Sequence, residues 1–405
     1  MTLPIYLDNN ATTPVDARVL EAMLPYFAEN FGNPASVSHL PGDHAAEAVE
    51  LARRQLAEVL GGRANEIVFT SGATESINLA IKGVARANAE EGKHIIACLT
   101  EHMAVLDTCA YLEQNGFEIT YLPVGGHGLI DLDRLEAGIR PDTILVSIMA
   151  ANNETGVLQP IDEIGRICRS KHVPFHTDAT QAVGKIPIDV DRMQIDLLSC
   201  SAHKIYGPKG VGALFIRKFG PRVRCEPIIH GGGHEGGFRS GTLNVPGIVG
   251  LAKAAQLATD ELPREAARLT SLRDRLVGGL QADLDEVHLN GHPTKCLPNT
   301  ANLCFAWVEG ESLLQGLATL AASTGSACSG ANNKTSHVLK AMSIPDLLAK
   351  TAIRFSLGRF NTAEEIEYTI GAVAEQVRRL RRVSPIDELR TMMMKNTNQR
   401  GIIHT

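Results

Sequence analysis

Apolar and polar positions change their period several times along the chain, and each change predicts an element. Residues 43–60 show helical spacing, with Ala interleaved among Glu and Arg. Residues 66–70 (EIVFT) are a short apolar run of strand type. They lead through Ser71-Gly72-Ala73-Thr74 into a helical stretch at 75–87. Runs at 94–97, 118–122, 143–149, 174–176, 197–199 and 211–216 predict further strands, with helical patterns such as 161–171 between several of them. Strands separated by helices predict an α/β unit with a mostly parallel sheet. The glycine-rich segment 230–241 predicts an irregular loop. A long helix at about 246–280 then leads to a second unit at about 260–385. That unit mixes strands (302–305, 353–356) with helices (311–318, 363–380). Residues 392–405 are polar without a clear period and read as a loosely ordered tail.

A length of 405 residues fits about two domains. The net charge of −6 gives no basic surface for nucleic acid, and no apolar run is long enough to span a bilayer. The start, MTLPIYLDNNATTP, lacks the basic and apolar stretches of a signal peptide, so a cytoplasmic location is expected. The eight cysteines form no C-x-x-C pair and are scattered, which predicts free thiols without a stable metal site. Cys98, in HIIACLT, reads as a small core residue.

Five short segments carry candidate chemistry, and each also has a plainer role. Ser201-Ala202-His203-Lys204 follows a strand, where open α/β sheets bind ligands. A lysine there can form a Schiff base with a carbonyl such as the aldehyde of pyridoxal phosphate; a random lysine is only a surface charge. Asp178, 26 residues earlier, suits the pyridine nitrogen of that cofactor, or caps the next helix. Thr70-Ser-Gly-Ala-Thr-Glu-Ser76 is a strand-to-helix turn able to cradle a phosphate, or a simple helix start. His102 follows another strand and can stack on a cofactor or shuttle protons, or serve structure alone. Cys328 stands in a run of small polar residues, 323–336, that predicts a mobile loop; an accessible thiolate there is a nucleophile, or an incidental thiol.

The ordered set of YLDNNATTP, FGNPAS, FTSGATES, TEH, ANNETGV, HTDATQAVGK, SAHKIYGPKGVG, HGGGHE, RSGT, TGSACS and IRFSLGRF resembles the NifS/IscS family of cysteine desulfurases, from about Tyr6 to about Pro385. The resemblance implies a fold type I pyridoxal-phosphate transferase. Its large domain has a mostly parallel seven-stranded sheet, and a smaller α+β domain follows. It places the large domain at residues 16–258, the small domain at 1–15 and 259–385 with the Cys328 loop, and a tail at 386–405. It implies a homodimer that converts L-cysteine to L-alanine and passes sulfur, as a persulfide on Cys328, to an acceptor such as an iron–sulfur scaffold. By motif, Lys204 is the Schiff-base lysine and the base at the substrate α-carbon. Asp178 pairs with the pyridine nitrogen, Gln181 bonds the phenolic oxygen and His102 stacks on the ring. Ala73, Thr74, Ser201 and His203 hold the phosphate, and Thr242 reaches the phosphate of the neighbouring subunit. Asn153, which is also counted with the cofactor contacts, and Arg354 take the substrate carboxylate. Cys328 is further able to hold an iron–sulfur cluster transiently.

The chain departs from the family in three places. Glu235-Gly236-Gly237 stands where many members have Glu-Arg-Gly, which touches loop contacts at the dimer interface, though Arg239 remains. After Cys328 the run is Ser-Gly-Ala-Asn-Asn-Lys, and the tail is unlike that of the housekeeping members. Rival readings are a selenocysteine lyase or another class V aminotransferase, and a sulfur-relay or scaffold-binding subunit without catalysis. Cys328 speaks against an aminotransferase, and the intact Lys204, Asp178, His102 and Arg354 against an idle subunit.

Overall fold

The computed structural model describes residues 2–324 and 335–383. Its strands are β1 Ile5–Tyr6, β2 Ile67–Thr70, β3 His94–Cys98, β4 Glu118–Leu122, β5 Thr143–Ser147, β6 Phe175–Asp178, β7 Leu197–Ser201, β8 Gly212–Ile216, β9 Val287–Asn290, β10 Thr300–Phe305, β11 Leu320–Ala321 and β12 Ala352–Ser356. Seven of them form one sheet in the order β2-β8-β7-β6-β5-β3-β4. β8 runs antiparallel to both its neighbours; the other pairings are parallel. The expected mostly parallel sheet is therefore present. β3, β5, β6 and β7 are buried along their whole length, which is why none of them alternates apolar with exposed polar positions.

Helices cover both faces. On one face, the Leu40–Leu60 helix packs Leu56 and Leu60 into a core with Phe69, Phe175, Phe215 and the start of the Val245–Asp283 helix. On the other, the Ala73–Ala87 helix packs Ile77, Leu79, Ile81 and Val84 with Ile95, Leu145 and Leu214. A separate apolar core gathers Ile5 and Leu7 with Leu276, Leu303, Phe305, Phe355 and Val373. It lies against a three-stranded antiparallel sheet, β12-β10-β9. Helix Val245–Asp283 joins the two regions: Ala258 belongs to the first core and Leu269 to the separate one, with Pro263 inside the helix between them. Among the described residues no helix is long and apolar enough to cross a membrane.

Most expected elements appear with ends shifted by a few residues. The helix expected from residue 75 begins at Ala73, directly after Gly72. Asp178, expected just past its strand, is the last residue of β6. The glycine-rich loop holds one short turn of 3-10 helix, Glu235–Gly237. Cys328 and the tail at 386–405 lie outside the described residues.

Candidate active site

The parallel strands β2, β3, β5, β6 and β7 end on the same edge of the sheet, and a cavity of about 560 Å³ opens there. This is where the crossover connections leave a crevice in a doubly wound sheet. The segments after these strands deliver Ala73, Thr74, His102, Asn153, Asp178, Gln181, Ser201, His203 and Lys204 to the cavity wall. Residues from five separate sequence segments thus converge, as the motif reading expected. Arg354 and Thr242 do not line this cavity. Arg354 lies behind Asn153, whose backbone oxygen accepts from Arg354 Nη1 at 2.9 Å. Thr242 is exposed on the loop before the long helix.

Lys204 closes the 3-10 turn Ala202–Lys204 that follows β7. Thr13 straps this turn: its N–H donates to His203 O at 2.9 Å, and its hydroxyl accepts from Tyr206 N at 2.8 Å. Lys204 Nζ donates to the backbone oxygens of Asn10 and Ala11, both at 2.7 Å. Asn10 O also accepts from Gln181 Nε2 at 2.9 Å, so one carbonyl joins the lysine to the glutamine.

Asp178 is buried, and its Oδ1 accepts from Thr180 N at 2.9 Å. It therefore organises the turn after β6 while lining the cavity; no helix starts there, so the expected helix-capping role is not what it serves. His102 caps the Met103–Gln114 helix, with Nδ1 accepting from Ala104 N at 3.1 Å. That bond puts the neutral ring's proton on Nε2. Burial first, then Lys204, Lys209 and Lys185, lowers the His203 pKa to about 4, so this imidazole is neutral at pH 7.

The Ala73–Ala87 helix starts at the cavity with Gly72 as its N-cap and no side-chain cap bond. Its first N–H groups and the positive end of its dipole therefore suit an anion beside Ser201 and His203. β8 presses on this turn: a Cβ on Gly212 would lie 2.7 Å from Gly72 Cα, so glycine is needed for the close approach. The neighbouring glycine-rich loop is anchored by Glu235, which accepts from Arg53 Nη1 and Nη2 and from Phe69 N, all at 2.7 Å. Gly236 has φ 63°, and Arg239 pairs with Glu75 at 2.8 Å.

Several residues at the site escaped the sequence reading. Asn10 lies inside YLDNNATTP, a motif that carried the resemblance but no role. Lys185 sits four residues after Gln181, in the same QAVGK run; burial, then Lys204, lowers its pKa to about 7. Glu101, beside His102, is fully buried; its Oε1 accepts from Met149 N at 2.7 Å and its Oε2 has no partner. Burial raises its pKa well above the usual carboxylate range, which favours the protonated acid over the carboxylate. Only Lys185, with its fixed spacing from Gln181, gave a signal along the chain.

A family model for class-V aminotransferases matches residues 5–369. The cysteine desulfurase IscS of Anaeromyxobacter dehalogenans (strain 2CP-C) is 55% identical over 389 residues, which is 96% of each chain. The chain belongs to the class-V aminotransferase family, in its cysteine desulfurase branch. Among solved structures, a NifS-like protein superposes with a TM-score of 0.87 at 43% identity, covering 93% of this chain and all of that one. The structure of SspA in complex with cysteine does so with a TM-score of 0.78 at 40% identity, covering 88% and 100%. Enzymes of this family depend on pyridoxal phosphate, and the donor set fits that group. An amine, a carboxylate, an imidazole and an uncapped helix N-terminus face one cavity, and cavity-lining Thr180 has a buried hydroxyl without a partner.

Proposed function

We propose that this class-V enzyme converts L-cysteine to L-alanine and leaves the sulfur as a persulfide on Cys328, for delivery to an acceptor in iron–sulfur cluster assembly or a related sulfur pathway. The convergence of Lys204, Asp178, Gln181 and His102 on one cavity carries this reading. The IscS name of a relative with the same coverage at both ends, and the cysteine-bound SspA structure, support it.

When bound, pyridoxal phosphate supplies an electron sink for the substrate carbon. The chain's own residues do the rest. Lys204 would hold the cofactor through its aldehyde, and its amine is the base placed to take the substrate α-proton. Asp178 would keep a proton on the ring nitrogen, His102 would stack on the ring, and Gln181 would donate to the phenolic oxygen. Ala73, Thr74, Ser201 and His203 bind the phosphate. Arg354 and Asn153 take the carboxylate, since a guanidinium meets a carboxylate with two parallel donors. The Cys328 thiolate attacks the substrate sulfur. An S–S bond forms as the substrate Cβ–Sγ bond breaks, the electron pair stays with carbon, and a proton returns there. No outside oxidant or reductant is required.

The reading includes a cytoplasmic homodimer, with residues 16–258 as the cofactor unit and 1–15 with 259–385 as the small one. Leu20, Leu24, Phe27, Phe31, Val37 and Leu40 are all exposed within one short stretch, which supports a second copy covering them. Thr242, exposed as well, is assigned to the phosphate of that copy.

The test is formation of L-alanine from L-cysteine by wild type and Cys328→Ala side by side. Wild type is expected to make alanine and a protein persulfide in equal amounts, and the variant almost none. Full alanine formation in Cys328→Ala would remove Cys328 from the reaction.

A further inference from the structure

Arg354, in β12, has a side chain only 1% exposed, and among the described residues its ion-pair partner is Asp8, 21% exposed. Nη2 donates to Asp8 Oδ1 at 2.6 Å and to Ser323 Oγ at 2.9 Å, and the Ser323 hydroxyl donates in turn to Asp8 Oδ1 at 3.0 Å. Nη1 is held by Asn153 O at 2.9 Å, and Asn153 lines the cavity. Nε is buried with no partner among the described residues. The guanidinium thus stands just behind the cavity wall, with Nη2 already engaged by a carboxylate and a hydroxyl.

An amino-acid carboxylate reaching Arg354 meets a group of its own chemistry on the donor it needs. Two carboxylates on one guanidinium repel each other, and the buried cation cannot be left bare without a large desolvation cost. Asp8 is the more exposed member of the pair and follows the two-residue strand β1. It is therefore the member able to turn outward to water. We propose that Asp8 is an internal stand-in for the substrate carboxylate, and that amino acids bind by exchanging with it at Arg354. The proposal rests on the reading that Arg354 takes the substrate carboxylate. It makes Asp8 a positioning residue that keeps the guanidinium neutralised between turnovers and weakens the binding of every carboxylate ligand. A ligand without a carboxylate gains nothing from displacing it.

The experiment measures binding, not turnover. Holoenzyme is titrated with L-alanine, which has the carboxylate but no thiol, and with cysteamine, which has the thiol and amine but no carboxylate, following the visible absorbance of the bound cofactor. Asp8→Asn is expected to tighten L-alanine on the order of tenfold, from loss of one nearby like charge in a partly screened site. Cysteamine is expected to change by less than about twofold. Asp8→Glu keeps the charge and is expected to stay near wild type, which separates charge from shape. Unchanged or weaker L-alanine binding in Asp8→Asn overturns the proposal, as does equal tightening of cysteamine. Arg354→Gln tests the underlying reading separately: if it leaves L-alanine binding unchanged, the carboxylate role of Arg354 fails first. If it weakens L-alanine while Asp8→Asn tightens nothing, only the exchange fails.

Discussion

Lys185 Nζ donates to Gln181 Oε1 at 2.6 Å, and Gln181 Nε2 donates to Asn10 O at 2.9 Å. A backbone carbonyl only accepts, so Asn10 O fixes the nitrogen end of the amide and leaves its oxygen to Lys185. The second N–H of Nε2 is then the one left for the cavity that Gln181 lines. Lys185→Met frees the amide to rotate. The expected result is a shift with pH of the holoenzyme's visible absorption relative to wild type, and cofactor binding weaker by about fivefold, the worth of one ordinary hydrogen bond. Absorbance titration with the cofactor measures both.

Lys204→Ala removes the amine at the end of the Ala202–Lys204 turn. Alanine formation from L-cysteine is expected to fall by roughly a thousandfold or more, as when a covalent catalyst is deleted. The visible absorbance of the purified protein should be lost with it. Retained turnover, measured as alanine, would assign the role to another amine.

Arg53 and Glu235 are 10% and 1% exposed at their side chains, so the pair is buried. Arg53→Ala leaves Glu235 as a buried carboxylate with only Phe69 N for a partner. The expected loss is about 3–5 kcal/mol in chemical unfolding, the usual cost of orphaning one member of such a pair. The double variant Arg53→Met with Glu235→Gln should recover part of it. Because Phe69 precedes the Thr70–Gly72 turn, the single variant is also expected to release the cofactor more readily in dialysis.

Glu101 gives a pH signature. Its folded pKa lies above that of the unfolded chain, about 4.3 for a free glutamate, so the folded protein binds the extra proton. Stability from this group is present below the unfolded pKa and is lost as pH rises from there through the folded pKa. Glu101→Gln keeps an acceptor for Met149 N and cannot ionise. It is expected to match wild type near pH 4 and to be more stable at pH 8, as read from thermal melts across that range.

Much of the sheet was legible because its strands are buried on both faces. The apolar runs at Ile67–Thr70, Thr143–Ser147 and Leu197–Ser201 have no other use in a globular chain. The candidate residues were legible for a related reason: Asp178, His102 and Lys204 stand at or just beyond strand ends, where a parallel sheet gathers its ligands. What the chain hid falls into two kinds. β1 and β11 are two-residue strands that pair with each other across the length of the chain, and β9 is short with two exposed positions. The contacts of Asp8 with Arg354 and of Arg53 with Glu235 join residues 346 and 182 positions apart, and no local pattern announces them. Glu101 reads along the chain as an ordinary polar residue; only burial of its carboxyl reveals its raised pKa.

Pro263 has no N–H, so one rung of the ladder in the Val245–Asp283 helix is missing between Ala258 and Leu269. Helices bend most easily at such a point. Pro263 falls between the core beneath Lys204 and the core behind Arg354. On the proposed reading these residues grip opposite ends of the same small amino acid, the amine and the carboxylate. The long helix thus links the two grips like the beam of a caliper, and the gap left by Pro263 makes the stretch between the jaws the least braced part of that beam.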